Sequence, residues 1–224
     1  MRRARYREFL EDLSNGWYPC DFVLNRAGGT ALNLVILIPH CTLLCCGIVR
    51  RKVTVDALKQ FMNELARASR SPGKVYLTGG ATALLLGFRE QTIDIDLKLD
   101  PEPKGAFEAI ALLKNRLNVN VKLASPDDFI PAPADWRERS RHIASIGPVE
   151  FFHYDLSMQA LAKLERGYEQ DIKDVKSFLK NGHLSAKELR RRFAEIQPGH
   201  LRYPAIDPEQ FKKKVENFLD KIEA

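Results

Sequence analysis

From Thr54 onward, apolar and polar positions recur with regular periods. Val55, Leu58, Phe61, Met62, Leu65 and Ala66 return every three or four residues, which predicts a helix ended by Ser71-Pro72-Gly73. Val75-Tyr76-Leu77 is a short apolar run and predicts a strand, Gly79-Gly80 a turn, and Ala81 to Phe88 a second helix. Between Ile93 and Leu99 apolar residues alternate with charged ones at period two, the pattern of a strand with one wet face, and Pro101 and Pro103 close it. Gly105 to Leu117 is again helical, Val119 to Leu123 alternates, Ser125 to Pro133 is rich in turn residues, and Val149 to Tyr154 predicts a further strand. Beyond it only helices are predicted, near Asp155 to Gly167, Asp171 to Lys180, Ser185 to Ile196 and Asp207 to Ile222, with Pro198 to Pro208 as a loop packing the last helix onto the body. The order of elements predicts an α/β (α+β) core over residues 50–154 and a C-terminal helical appendage over 155–224.

The first 49 residues follow a different pattern, running from a basic start through Gly28-Gly29 into the apolar stretch Ala31 to Val49. A membrane span would fit by length, but Asn33, Pro39 and His40 interrupt the run near its middle, where each is costly in lipid. A secretory signal fits poorly because the apolar region begins far from the N-terminus. The segment is read as a dispensable tail, or as read-through ahead of a native start near Val49, in preference to a membrane anchor.

With 45% hydrophobic and 29% charged residues, the chain of 224 falls in the ordinary soluble globular class, and no internal repeat or low-complexity segment interrupts it. The formal charge of +6 lies almost entirely in the body, because the five arginines of the first 49 residues are nearly balanced by Glu8, Glu11, Asp12 and Asp21. Such an excess favours polyanions without requiring them. Cys20, Cys41, Cys45 and Cys46 all precede residue 47, so the body carries neither a disulfide framework nor a CxxC pair, and a cytoplasmic setting is expected.

The passage with chemical content is Val75 to Thr82 followed, one helix later, by Arg89 and Thr92-Ile93-Asp94-Ile95-Asp96-Leu97. Two glycines between a strand and a helix let the backbone approach a ligand, and the helix start beyond them offers N–H groups to phosphate oxygens. Neither a Walker A loop nor GxGxxG is present. Asp94 and Asp96, two apart on a strand, project from one face, and paired hard oxygens suit Mg²⁺ or Mn²⁺ completed by waters and a nucleoside triphosphate (NTP). Each piece alone has a plain alternative, a solvated strand face or an ordinary turn; it is the order and spacing of the two that is specific. The run Trp136, Arg137, Arg139, Arg141, His142 is read as a solvated helix face in preference to an RNA contact, and His153 as a strand-end residue.

Gly-Gly, helix, Asp-x-Asp resembles the signature of the polymerase-beta-like nucleotidyltransferase superfamily, and the fuller pattern Gly79-Gly80 to Gly87 with Thr92-x-Asp94-x-Asp96 is similar to its bacterial branch of abortive-infection and toxin–antitoxin proteins, the AbiEii-like group. A second match lies at Lys163, Arg166, Asp171 and Asp174, so that the resemblance covers about residues 54 to 180. It implies a mixed-sheet nucleotidyltransferase fold, Asp94 and Asp96 as metal ligands, Asp94, Asp96, Lys163 and Asp171 as the catalytic set, and Gly79, Gly80, Thr82 and Lys163 at the nucleotide. It also implies transfer of an NMP from an NTP to a nucleic-acid (tRNA-like) or protein hydroxyl, and a cognate antitoxin; no membrane partner is expected, given the interrupted apolar stretch. One departure stands out: the strand on which the superfamily usually carries a third carboxylate reads Asn118-Val119-Asn120-Val121-Lys122. Asp127, Asp128 and Glu150 are the acids that could substitute. Without a substitute, the chain would be a catalytically silent binding or regulatory module of the same fold.

Overall fold

The computed structural model describes residues 50–223. Residues 1–49, expected to be a tail or a misplaced start, lie outside the described residues. Helix α1 (Val55–Ala68) begins where the Thr54 hydroxyl accepts the Ala57 N–H at 3.3 Å, and ends where the backbone becomes extended at Ser69. Its apolar stripe, Leu58, Phe61, Met62 and Leu65, is buried as the spacing predicts.

A five-stranded mixed sheet follows, in the order β3-β2-β1-β5-β4. Strand β1 (Gly73–Thr78) runs antiparallel to β2 (Asp94–Leu99) and parallel to β5 (Val149–His153). Strand β3 (Asn120–Leu123) lies parallel beside β2, and β4 (Arg141–Ile146) antiparallel beside β5. Between the strands stand α2 (Gly79–Leu85) and α3 (Ala106–Arg116), and after β5 come α4 (Leu156–Arg166), α5 (Glu169–Lys180), α6 (Ala186–Ile196) and α7 (Pro208–Glu223). Among the described residues no helix is long and apolar enough to cross a membrane.

The period of two sorts the strand residues onto two cores. Val75, Leu77, Ile95, Leu97, Val121 and Phe151 pack with α1 and α3 on one face of the sheet. Tyr76, Trp136 and Tyr154 join the apolar sides of α4 to α7 on the other. With Ile95 and Leu97 committed to the first core, Asp94 and Asp96 face the helical half. The predicted C-terminal loop is a 3₁₀ segment, Gln197–Arg202, whose His200 is buried against Phe193 and Phe211 at ring distances of 5.8 and 5.3 Å, which anchors α7.

Two expectations need correction. The helix does not start at Ala81 after a separate Gly79-Gly80 turn; it starts at Gly79, so the turn out of β1 is made at the first residue of α2. The run from Trp136 to His142 is not a helix face either. Trp136 ends a 3₁₀ turn and stacks on Tyr154 at 4.4 Å, Arg139 binds the Asp155 carboxylate at 2.7 Å, and Arg141 opens β4. Its cations are engaged by the protein itself, Arg137 by Asp100 and Arg141 by the His183 carbonyl, so the run is no open basic stripe. An edge strand with half its positions exposed and none buried lacks the clean alternation that would have marked β4 in the sequence.

Candidate active site

The two carboxylates of β2 are set between neighbours on both sides. Asp94 lies opposite Asn120 and Asp96 opposite Lys122 on β3, while Thr78, the last residue of β1, lies opposite Asp96. Because β1 ends there, the chain turns directly over Asp96. Gly79 makes this turn at φ +58°, and a Cβ at this position would stand 2.8 Å from Asp96 Oδ2, so glycine meets both a backbone and a spatial requirement. Gly80 is needed for a different reason: a Cβ there would come within 2.0 Å of the Thr92 hydroxyl, in the interior rather than at a ligand.

A buried amide holds this turn in place. Gln159, on α4, accepts the Gly79 N–H at 2.9 Å and donates to the Tyr154 carbonyl at 2.8 Å and the Thr82 hydroxyl at 3.2 Å. These bonds engage two of the residues expected at the nucleotide. Gly79, expected to cradle the nucleotide, gives its own N–H to Gln159. Thr82, expected at the nucleotide, is fully buried, donates to the Leu77 carbonyl at 2.9 Å and serves as a brace beneath the turn.

The second sequence match forms a chain of ion pairs whose centre, Lys163, Asp171 and Asp174, is buried. Lys163, only 3% exposed, donates to Asp171 at 2.9 Å and to Asp174 at 2.6 Å. Asp174 also receives the Arg89 guanidinium, with Nε at 2.9 Å, and Asp171 receives Arg166 at 3.0 Å. Burial works against the Asp174 charge, but Arg89 and Lys163 outweigh it and hold its pKa below the ordinary carboxylate value. Asp171, expected among the catalytic groups, stands behind Lys163 and Arg166 and orients them.

These elements enclose one cavity of about 220 Å³. Asp94, Asp96 and Gly79 form one wall; Lys122, Lys163 and Arg166 bring positive charge; Ala124, Pro126, Phe129 and Ala162 supply apolar surface. The structure therefore brings Asp94, Asp96, Gly79 and Lys163 together at one cavity, and leaves Gly80, Thr82 and Asp171 as supports behind it. Burial raises the Asp96 pKa and the neighbouring Asp94 charge raises it further, with Lys122, Arg166 and Lys163 partly offsetting both. Asp94 is satisfied differently, accepting Lys122 Nζ at 2.5 Å and Asn120 Nδ2 at 2.6 Å.

None of the three substitute acids enters the cavity. Asp127 is tied to Lys98 at 2.7 Å and accepts from Ser125 and Tyr154, Asp128 caps the turn at Ser125, and Glu150 pairs with Lys74 at the opposite end of β1. Among the described residues no group of three or more His, Cys, Asp or Glu side chains stands together as a metal cage. The donor set nonetheless fits one divalent cation that takes its remaining ligands from water and phosphate. Two carboxylates share a face, and glycine at position 79 keeps the space beside Asp96 Oδ2 clear.

Sequence reasoning missed Gln159 and the role of Lys122. A polar residue inside the apolar stripe of α4 was the available signal for the first; for the second there was none, since a lysine on an edge strand is ordinary.

No curated protein and no solved structure matches the chain. A family model described as a nucleotidyltransferase of unknown function matches residues 54–221, the span that carries the sheet, the cavity, helices α1 to α6 and all but the last two residues of α7. That match extends over most of the chain and includes both carboxylates and the buried ion-pair network, so the chain belongs to the nucleotidyltransferase family of unknown function, DUF6036.

Proposed function

We propose that the protein is a metal-dependent nucleotidyltransferase that moves an NMP from an NTP to a hydroxyl of a nucleic acid or a protein. The observation that carries this reading is the meeting of Asp94 and Asp96 with Lys122, Lys163 and Arg166 around one open cavity. Paired acids next to three cations suit a magnesium triphosphate, whose own charges are divided in the same way. Asp94 and Asp96 would hold Mg²⁺ or Mn²⁺, which supplies charge neutralisation at the phosphates. Arg166, about half exposed at its side chain, is placed to bind phosphate oxygens, and Lys163, clamped by Asp171 and Asp174, adds a fixed positive charge at the cavity wall. The apolar wall that includes Phe129 offers a surface for a base. The resemblance to the AbiEii-like group supports a toxin role with a separately encoded antitoxin.

A second reading, a silent binding module, is favoured by one observation: β3, the strand on which the resemblance implies a third acid, turns Asn120 and Lys122 toward Asp94 and no carboxylate. The two readings part in one experiment. Purified protein is incubated with Mg²⁺, each α-labelled NTP, and total RNA or protein as acceptor, beside Asp96→Asn. Label on an acceptor that disappears in the variant establishes the transferase; nucleotide binding without label in any combination supports the silent module.

A further inference from the structure

Asp94 and Asp96 are not equivalent, and the difference comes from the neighbouring strand. In β3 the buried Val121 faces the core, so Asn120 and Lys122 extend to the side on which the two acids lie. The parallel register sets them against Asp94 and Asp96, and both reach Asp94: Asn120 on Oδ1 at 2.6 Å and Lys122 on Oδ2 at 2.5 Å. Both oxygens of one carboxylate are thereby occupied, one of them by a full positive charge. Lys122 itself is not enclosed. Its side chain is 54% exposed on an edge strand, so rotation about its own bonds is enough to leave Asp94.

We propose that Lys122 is a built-in counter-cation for Asp94 that a divalent metal must displace, so that metal enters the site together with an NTP whose phosphates take over the lysine ammonium. This rests on the reading of the cavity as an NTP site. A metal ion arriving alone meets an occupied carboxylate and an ammonium that repels it. A triphosphate brings its own negative charge, gives Lys122 a new partner within the same cavity, and frees Asp94 for the cation. The lysine thus couples the two ligands: each makes room for the other. A carboxylate at position 122 would instead attract the metal without nucleotide.

The test is Lys122→Met, with Lys122→Arg as the charge-retaining control. Mn²⁺ binding without nucleotide is followed by the paramagnetic resonance signal of the free ion, and binding of an α,β-methylene ATP analogue in EDTA by titration calorimetry. Lys122→Met is expected to bind Mn²⁺ about tenfold tighter and the metal-free analogue about tenfold more weakly, while Lys122→Arg follows the wild type in both. These opposite signs would not arise from a merely structural role. Equal, measurable Mn²⁺ affinity in wild type and Lys122→Met overturns the proposal and leaves the NTP site standing, as do shifts of the same sign. Absence of Mn²⁺ binding in both proteins even with saturating analogue overturns the two-carboxylate site as well.

Discussion

Asp174→Ala isolates the network that supports the cavity. The carboxylate is 1% exposed and accepts from Arg89 Nε at 2.9 Å, from the same guanidinium through Nη2, and from Lys163 Nζ at 2.6 Å. Alanine leaves both cations charged. Removing one partner of a buried ion pair costs about 3–5 kcal/mol, and because Lys163 keeps Asp171 at 2.9 Å, the lower end, about 3 kcal/mol, is expected. For a folded body of this size each kcal/mol corresponds to roughly 2–4 °C, so the melting midpoint should fall by about 6–12 °C in calorimetry at pH 7. The pH dependence has a definite sign. Since the folded pKa of Asp174 lies below its unfolded value, its contribution is present above the unfolded value and is lost as pH falls through the folded one. Wild type and variant should therefore converge on strong acidification. The exposed pair of Glu169 and Lys173, 85% and 61% exposed, is the comparison, and Glu169→Ala should leave the midpoint unchanged. A loss below about 1 kcal/mol in Asp174→Ala, the range of surface pairs, would refute the view that this network is a buried structural unit.

Three further outcomes follow from the same geometry. Gly79→Ala forces a side chain into the left-handed region and places its Cβ 2.8 Å from Asp96 Oδ2; a loss of about 1–3 kcal/mol in urea unfolding is expected, together with weaker nucleotide binding, and a variant as stable as wild type would contradict the strain. Asp96→Asn should abolish label transfer yet raise the melting midpoint at neutral pH: a carboxyl whose pKa is raised by burial and by Asp94 stabilises the fold below its unfolded pKa and loses that contribution as pH rises through the folded value. A midpoint unchanged or lowered at pH 7 would count against that environment. His153 is held neutral by burial, its pKa lowered from 6.5 to about 4, so the unfolded chain takes up a proton that the folded one refuses, and stability should decline as pH falls across that interval. In His153→Gln this part of the decline, read from unfolding curves at stepped pH, should be absent.

Much of this was legible in the chain, because periodicity is a local property. The alternation from Ile93 to Leu99 put Asp94 and Asp96 on one face before any partner was known, and Ile95 and Leu97 are indeed fully buried on the other. The stripe of Val55 to Ala66 and the helical run after Tyr154 were equally plain, since each helix repeats its apolar side every three or four residues whatever it packs against. Strand β4 was not legible because it is an edge strand with half its positions exposed and none buried, and so carries almost no alternation.

What depended on the tertiary structure is the chemical state of each group. Gln159 meets Gly79 across 80 positions, Arg89 meets Asp174 across 85, and Lys122 meets Asp94 across 28. No spacing rule joins residues so far apart; strand register and helix packing do. The sequence by itself determined that two acids share a wet face beside a glycine turn and that a lysine and two further acids lie on later helices. Only the folded chain decided that one acid is claimed by Lys122, that the other lies beside open space, and that Lys163 is clamped rather than free. The physical reason is that covalent order sets the direction in which a side chain points, whereas its partners, and with them its charge and reactivity, are set by what the rest of the chain packs around it.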